Sequence, residues 1–191
     1  MTITIAILAG GQSKRMGTDK ALLDVDGVPL LTRIAGEALA TGRRVVVVGR
    51  QRPADWPHTD VHFVKDPAGG NGPIGGLSAA LTFAREPVLL LACDMPGLTR
   101  RSITWLLEEA QGRQPSWGLA VRNGTQLEPL FSFYMPAILA IVDQRIGQGR
   151  RSLLGLFEVA DIGYVDAPDD LRPELVNVNT AEEWKRFRGL A

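Results

Sequence analysis

Short apolar runs that stop at glycine or aspartate recur along this chain, and they restrict its fold more than any other feature. Ile3 to Leu8 ends at Gly10-Gly11, and Val45 to Val48 ends at Gly49. Val61 to Val64 ends near Asp66-Pro67, and Val88 to Cys93 ends at Asp94-Met95-Pro96. The first, second and last of these, continuous and without polar alternation, predict strands buried on both faces, as in a parallel sheet, and Val61 to Val64 predicts a further strand.

Helical stripes lie between them. Pro29 can open a helix in which Leu31, Ile34, Ala35 and Ala38 share a face, with Gly42 as its stop. Pro73 suits the first turn of another, with Ile74, Leu77 and Leu81 facing inward. Thr99 can cap a third that buries Ile103, Leu106, Leu107 and Ala110. Leu119 to Val121 and Leu130 to Tyr134 predict later strands on either side of the turn Asn123-Gly124. Asp166 to Pro173 reads as a mobile polar loop, and Asn177 to Thr180 alternates like a strand. A capping box at Thr180-Ala181-Glu182-Glu183 starts a last helix expected to bury Trp184 and Phe187. The order predicts an α/β fold: a Rossmann-like three-layer sandwich with a mostly parallel sheet, in one domain spanning residues 1–191.

Charge narrows the function. The 21 basic and 21 acidic side chains cancel, leaving no global field to draw the protein onto nucleic acid or an anionic membrane. Cys93 is the single cysteine, which excludes an internal disulfide and a zinc–thiolate cluster. No basic stretch precedes the first apolar run, and no apolar stretch nears the ~20 residues that span a bilayer. A cytoplasmic protein is expected.

In parallel sheets, ligands gather at the carboxyl ends of the strands, and the unusual residues of this chain sit there. The first loop, Leu8-Ala9-Gly10-Gly11-Gln12-Ser13-Lys14-Arg15-Met16-Gly17-Thr18-Asp19-Lys20, joins permissive glycines to Ser13 and three cations, Lys14, Arg15 and Lys20. Backbone N–H groups and cations together suit a triphosphate and the charge that develops as pyrophosphate leaves. The P-loop spacing fails by one residue between Gly11 and Gly17, and Gly-x-Gly-x-x-Gly is absent. A solvated basic turn is the alternative.

Asp94 leaves the most apolar run and could hold Mg²⁺ beside substrate phosphates, or it could simply close a turn. Asp66 could touch ribose or base, or stabilise the turn before Pro67. Gly72 to Leu77 could offer helix N–H groups to a ligand or pack closely on the sheet. Arg150-Arg151-Ser152 could hold an acceptor phosphate or be an exposed basic patch. The amides of Asn177 and Asn179 could bind a polar acceptor or satisfy buried backbone. Glu128 precedes an apolar strand and could equally serve at the edge of the core. Asp19 could orient Lys20 or close a turn, and His58 and His62 read as structural.

Leu8-Ala9-Gly10-Gly11-x-Ser13-x-Arg15-Met16-Gly17-x-Asp19-Lys20, Gly72-Pro73, Cys93-Asp94-Met95-Pro96, Glu128-Pro129-Leu130-Phe131 and Asn177-Val178-Asn179-Thr180 stand in one order. That order resembles the molybdenum cofactor guanylyltransferases (MobA) over almost the whole chain. The resemblance implies a fold of the nucleotide-diphospho-sugar transferase type. The implied reaction moves GMP from GTP to the terminal phosphate of Mo-molybdopterin, releasing pyrophosphate, with Mg²⁺ as cofactor. By the same resemblance Leu8, Ala9, Gly10, Gly11, Lys20, Asp66 and Asp94 would bind the nucleotide, and Asp94 the metal. Arg15, Lys20 and Asp94 would be catalytic, and Arg151, Asn177 and Asn179 would lie on the acceptor side. A monomer is implied, in transient contact with cofactor-insertion chaperones or molybdoenzymes.

One departure stands out. Some relatives place Asn near the end of the second strand, where this chain reads Val48-Gly49, so any nucleotide contact there must come from backbone. Related cytidylyltransferases usually carry Ala where Gly10 stands, and sugar-phosphate nucleotidyltransferases share the glycine loop without the Asn-Val-Asn-Thr ending. Both are rival readings, as is a non-catalytic carrier of nucleotide or cofactor.

Overall fold

A computed structural model describes residues 1–10, 19–65 and 72–189. The apolar runs form β1 (Thr4–Leu8), β4 (Arg44–Val48), β5 (Val61–Val64) and β6 (Val88–Ala92). A small hairpin, β2 (Asp24–Val25) and β3 (Val28–Pro29), precedes α1 (Leu30–Leu39). Then come α2 (Gly72–Ala84), α3 (Arg100–Arg113), β7 (Gly118–Asn123), β8 (Gln126–Tyr134), α4 (Leu139–Gly147), β9 (Gly163–Asp166) and α5 (Ala181–Phe187).

Seven strands form one sheet in the order β5-β4-β1-β6-β8-β7-β9. β8 runs antiparallel to both its neighbours, and the remaining pairings are parallel. The sheet is therefore mostly parallel, as expected, with one reversed strand that follows directly from the Asn123-Gly124 turn.

Two apolar clusters cover its faces. On one, Ile5, Ile7, Val45, Val47, Leu89 and Leu91 meet α1 and α3. On the other, Ala6, Val46, Val48, Val88 and Leu90 meet α2 and α4. Adjacent residues of one strand thus feed opposite cores, which is why the runs carry no polar alternation. The three-layer arrangement follows.

The helix stripes lie where the spacing placed them. Thr99 caps α3 through a capping box closed with Ser102. Three expectations change. Residues 177–180 form an extended loop rather than a strand, because Val178 N–H bonds the Asp94 carbonyl instead of a sheet edge. Asp166 to Pro173 is not loop throughout: Asp166 ends β9 and pairs with Arg122, Arg172 and Pro173 open a 3-10 turn, and Ala167 and Leu171 are buried. The capping box of α5 forms, but the helix buries no residue fully; Trp184 is half-buried and Phe187 is 42% exposed.

Candidate active site

β1, β4 and β6 end level with one another, since Leu8 pairs with Val48 on one side and Ala92 on the other. The chain moves outward from β1 to β4 and β5, then crosses back to β6. Strand order reverses at the β1–β6 boundary, and loops leaving such a boundary part to form a crevice. The loop of Gly10 and the loop of Asp94 both leave there.

Backbone builds the floor. Ala9, itself buried, still donates to the Val48 carbonyl at 3.0 Å. Gly10 then passes Gly49 so closely that a Cβ on Gly49 would lie 2.7 Å from Gly10 Cα. Gly49 also has φ of +89°, so both contact and conformation require glycine. Leu8 lies under α2, where a Cβ on Gly76 would meet its Cδ2 at 2.8 Å. That close approach was one of the two readings of the 72–77 segment.

Lys20 enters on a 3-10 turn (Lys20–Leu22) whose N-cap is Asp19. Asp19 Oδ1 accepts from Ala21 N–H at 3.1 Å, and its Oδ2 pairs with Arg50, the residue after Gly49. Asp19 therefore fastens the Lys20 turn to the end of β4. Lys20 Nζ lies 3.9 Å from Asp94 Oδ2 and donates to Asn179 Oδ1 at 2.8 Å.

Asp94 Oδ1 is buried and has no hydrogen-bond partner among the described residues. Burial raises the Asp94 pKa above the usual carboxylate value, against the smaller opposing effects of Lys20 and its own backbone N–H. Burial also pushes the neighbouring Cys93 thiol up to about 12, with help from the Asp94 charge. That thiol stays protonated, so it is not a nucleophile at neutral pH.

The far side of the crevice is a strap, residues 177–179. Val178 N–H donates to the Asp94 carbonyl at 2.7 Å. Asn177 Nδ2 donates to Glu128 Oε2 at 3.0 Å, and Asn179 takes the Lys20 ammonium. Behind the strap, Glu183 accepts from Asn179 N–H at 2.6 Å and Thr180 N–H at 2.9 Å. Ahead of it, Thr99 Oγ1 donates to Glu174 at 2.6 Å, and Gly97 lets the Glu174 backbone approach.

Lys20, Asp94, Asn177 and Asn179 are thus brought together from three distant parts of the chain. Arg151 stands beside the start of α2: its carbonyl oxygen would be 3.6 Å from a Cβ on Gly72, and its side chain is exposed. Gly11, Arg15 and Asp66 fall outside the described residues. His58 bonds the Thr32 carbonyl and stacks edge-on to Trp56, a structural role. Two contributors carry weaker sequence signals. Arg50 stands at a strand end, which alone could have marked it, whereas the contact of Glu128 with Asn177 spans 49 positions and leaves no local trace.

Residues 5–161 match the family described as the MobA-like NTP transferase domain. The chain belongs to that family. It is therefore a MobA-like nucleotidyltransferase. It is 33% identical to the molybdenum cofactor guanylyltransferase of Pseudomonas aeruginosa, over 98% of this chain and 95% of that protein. It is 31% identical to the molybdenum cofactor guanylyltransferase of Syntrophotalea carbinolica, over 95% of this chain and 89% of the relative. Its fold matches the crystal structure of molybdopterin-guanine dinucleotide biosynthesis protein A from Archaeoglobus fulgidus, with a TM-score of 0.82 at 24% identity, covering 96% and 95% of the two chains. Among the described residues no helix is long and apolar enough to cross a membrane.

Proposed function

We propose that this MobA-like nucleotidyltransferase transfers GMP from GTP to the terminal phosphate of Mo-molybdopterin, releasing pyrophosphate. The observation that carries the reading is the 3.9 Å approach of Lys20 to Asp94, which puts a cation and a desolvated carboxylate at one strand-end crevice. The guanylyl choice and the acceptor rest on the names of the relatives at 31% and 33% identity.

The residues fit a Mg²⁺ ion. Mg²⁺ favours one or two carboxylates and completes its shell with water and phosphate oxygens. Asp94 offers one such carboxylate with its buried Oδ1 unpartnered, and no three His, Cys, Asp or Glu side chains cluster among the described residues. Bound at Asp94, the ion would supply charge neutralisation to the phosphate oxygens.

The chain's own groups do the positioning. The acceptor phosphate oxygen attacks the α-phosphorus as the bond to the bridging α–β oxygen breaks, and the electron pair leaves with pyrophosphate. The acceptor is already an anion, so no general base is required, and Cys93 is held protonated. Lys20, steadied by Asn179 and by the Asp19–Arg50 fastening of its turn, faces the charge that builds on the departing phosphates. Gly10 and Gly49 let the ends of β1 and β4 cross in contact, which packs the backbone floor on which phosphate or base would lie. In this reading Gly11, Arg15 and Asp66 join Leu8, Ala9 and Gly10 in binding the nucleotide, and Arg151, Asn177 and Asn179 bind the acceptor.

Pyrophosphate release with GTP and with CTP, each with and without molybdopterin, tests the reading. Release that needs both GTP and molybdopterin is expected. Equal release with CTP would overturn the base choice, and nucleotide binding without any release would leave a carrier.

A further inference from the structure

Glu128 is a charged side chain only 5% exposed, and the transfer reaction proposed above gives it no role. Its placement depends on an irregularity. The pairing of β7 with β8 jumps from Ala120–Ser132 to Val121–Glu128, which leaves residues 129–131 of β8 without partners on β7. Buried side chains hold this bulge. Ser132 Oγ accepts from Val121 N–H and donates to the Glu128 carbonyl at 2.7 Å, and Tyr134 OH donates to the Pro129 carbonyl at 2.8 Å. Bulges beside sites re-aim side chains, and this one sends Glu128 to Asn177.

An ionised carboxylate only accepts hydrogen bonds, so it dictates which end of the Asn177 amide it meets. Asn177 must turn Nδ2 toward Glu128, as the 3.0 Å bond shows. Its Oδ1 is then left as the free acceptor end of the amide. Burial raises the Glu128 pKa, offset by the Asn177 bond and reinforced by the Asp94 charge.

We propose that Glu128 is a positioning residue: held by the β8 bulge, it locks the Asn177 amide with Oδ1 outward, so that the acceptor is recognised through an N–H donor. The inference rests on the proposed reaction. It deepens that reading by naming the hydrogen-bond polarity of the acceptor subsite, which suits the N–H-rich edge of a pterin. The neighbouring Asn179 is oriented differently, its Oδ1 already engaged by Lys20.

Steady-state kinetics with GTP and molybdopterin test it on native protein and four variants, the two Glu128 substitutions, Asn177→Ala and the double variant. Glu128→Ala should raise KM for molybdopterin about tenfold, the value of one hydrogen bond to a charged group, while kcat and the GTP dissociation constant stay within about twofold. Glu128→Gln, whose amide oxygen can still accept from Asn177 Nδ2, should restore most of the lost affinity. Asn177→Ala added to Glu128→Ala should cost far less than it does alone. Equal loss in the Gln and Ala variants, additive effects of the two positions, or a parallel loss of GTP binding would each overturn the proposal while native turnover leaves the reaction standing. Native protein that releases no pyrophosphate would overturn the reaction and this proposal together.

Discussion

The two halves of the sheet reach the same crevice by different means. β5, β4, β1 and β6 are parallel, the last three buried on both faces, and they contribute chiefly backbone: the Gly10–Gly49 crossing and the carbonyl and N–H groups around it. β8 and β7 are antiparallel, carry a bulge, and bury polar side chains, Glu128 and Ser132, with little redundancy around them. The regular half has little room for change in shape, because its glycines are already in contact. The irregular half has little room for change in chemistry, because each buried polar group has few partners to replace a lost one. Asp94 and Lys20 sit where the halves meet.

Four experiments can break or sharpen that contrast. The largest effect belongs to the meeting point. Asp94→Ala should lower turnover by about a hundredfold to a thousandfold with an unchanged circular dichroism spectrum. Asp94→Asn should lose turnover equally yet melt at higher temperature. The sign follows from the raised pKa: the folded protein holds the Asp94 proton more tightly than the unfolded chain does. Stability from this group is present at low pH and is lost as pH rises through the folded pKa, so a permanently neutral amide avoids the penalty. A lower melting temperature for Asp94→Asn would show that the Lys20 attraction outweighs burial.

Next in size is the regular half. Gly49→Ala forces a Cβ to 2.7 Å from Gly10 Cα at a positive φ. A cost of about 1–3 kcal/mol in urea unfolding is expected, with weakened nucleotide binding. The irregular half should respond through hydrogen bonding instead. Ser132→Ala should cost about 1–2 kcal/mol, because the Val121 N–H and Glu128 carbonyl lose their shared partner. It should also raise KM for the acceptor more than for GTP; equal changes would remove the division of labour between the halves.

The smallest effect concerns Cys93. With its thiol pushed from 9.0 to about 12, it should resist iodoacetamide at pH 8 until urea is added. Between those two values the unfolded chain releases a proton that the folded protein keeps, so stability declines as pH rises above 9.0. Cys93→Ala should flatten that slope.

Much of the fold is legible locally. Val45 to Val48 and Leu89 to Ala92 have no polar position, and only a strand covered on both faces needs that. Thr99 and Thr180 announce their helices through capping groups three residues away or less. Leu139–Gly147 is harder to read, because it buries Arg145 beside Val142 and covers Leu139, Ile141 and Ile146 only in part. Phe187 suggests burial by composition, yet α5 is short and lies at the margin. In the site, glycines and acids at strand ends mark Gly10, Lys20 and Asp94 in advance. The hydrogen bonds of Asn177 and Asn179 span 49 and 159 positions, and no periodicity reports them.

The sequence by itself determined the layered architecture, the strand-end loops and the absence of a global charge, since each follows from near neighbours or simple sums. Tertiary structure alone decided that Asn179 meets Lys20, that Glu128 turns the Asn177 amide, and that Gly10 can tolerate only Gly49 beneath it. Hydrophobic patterning specifies which face a residue takes. The partner found on that face depends on how strand order, a bulge and a crossover bring remote segments together, and those are properties of the assembled sheet.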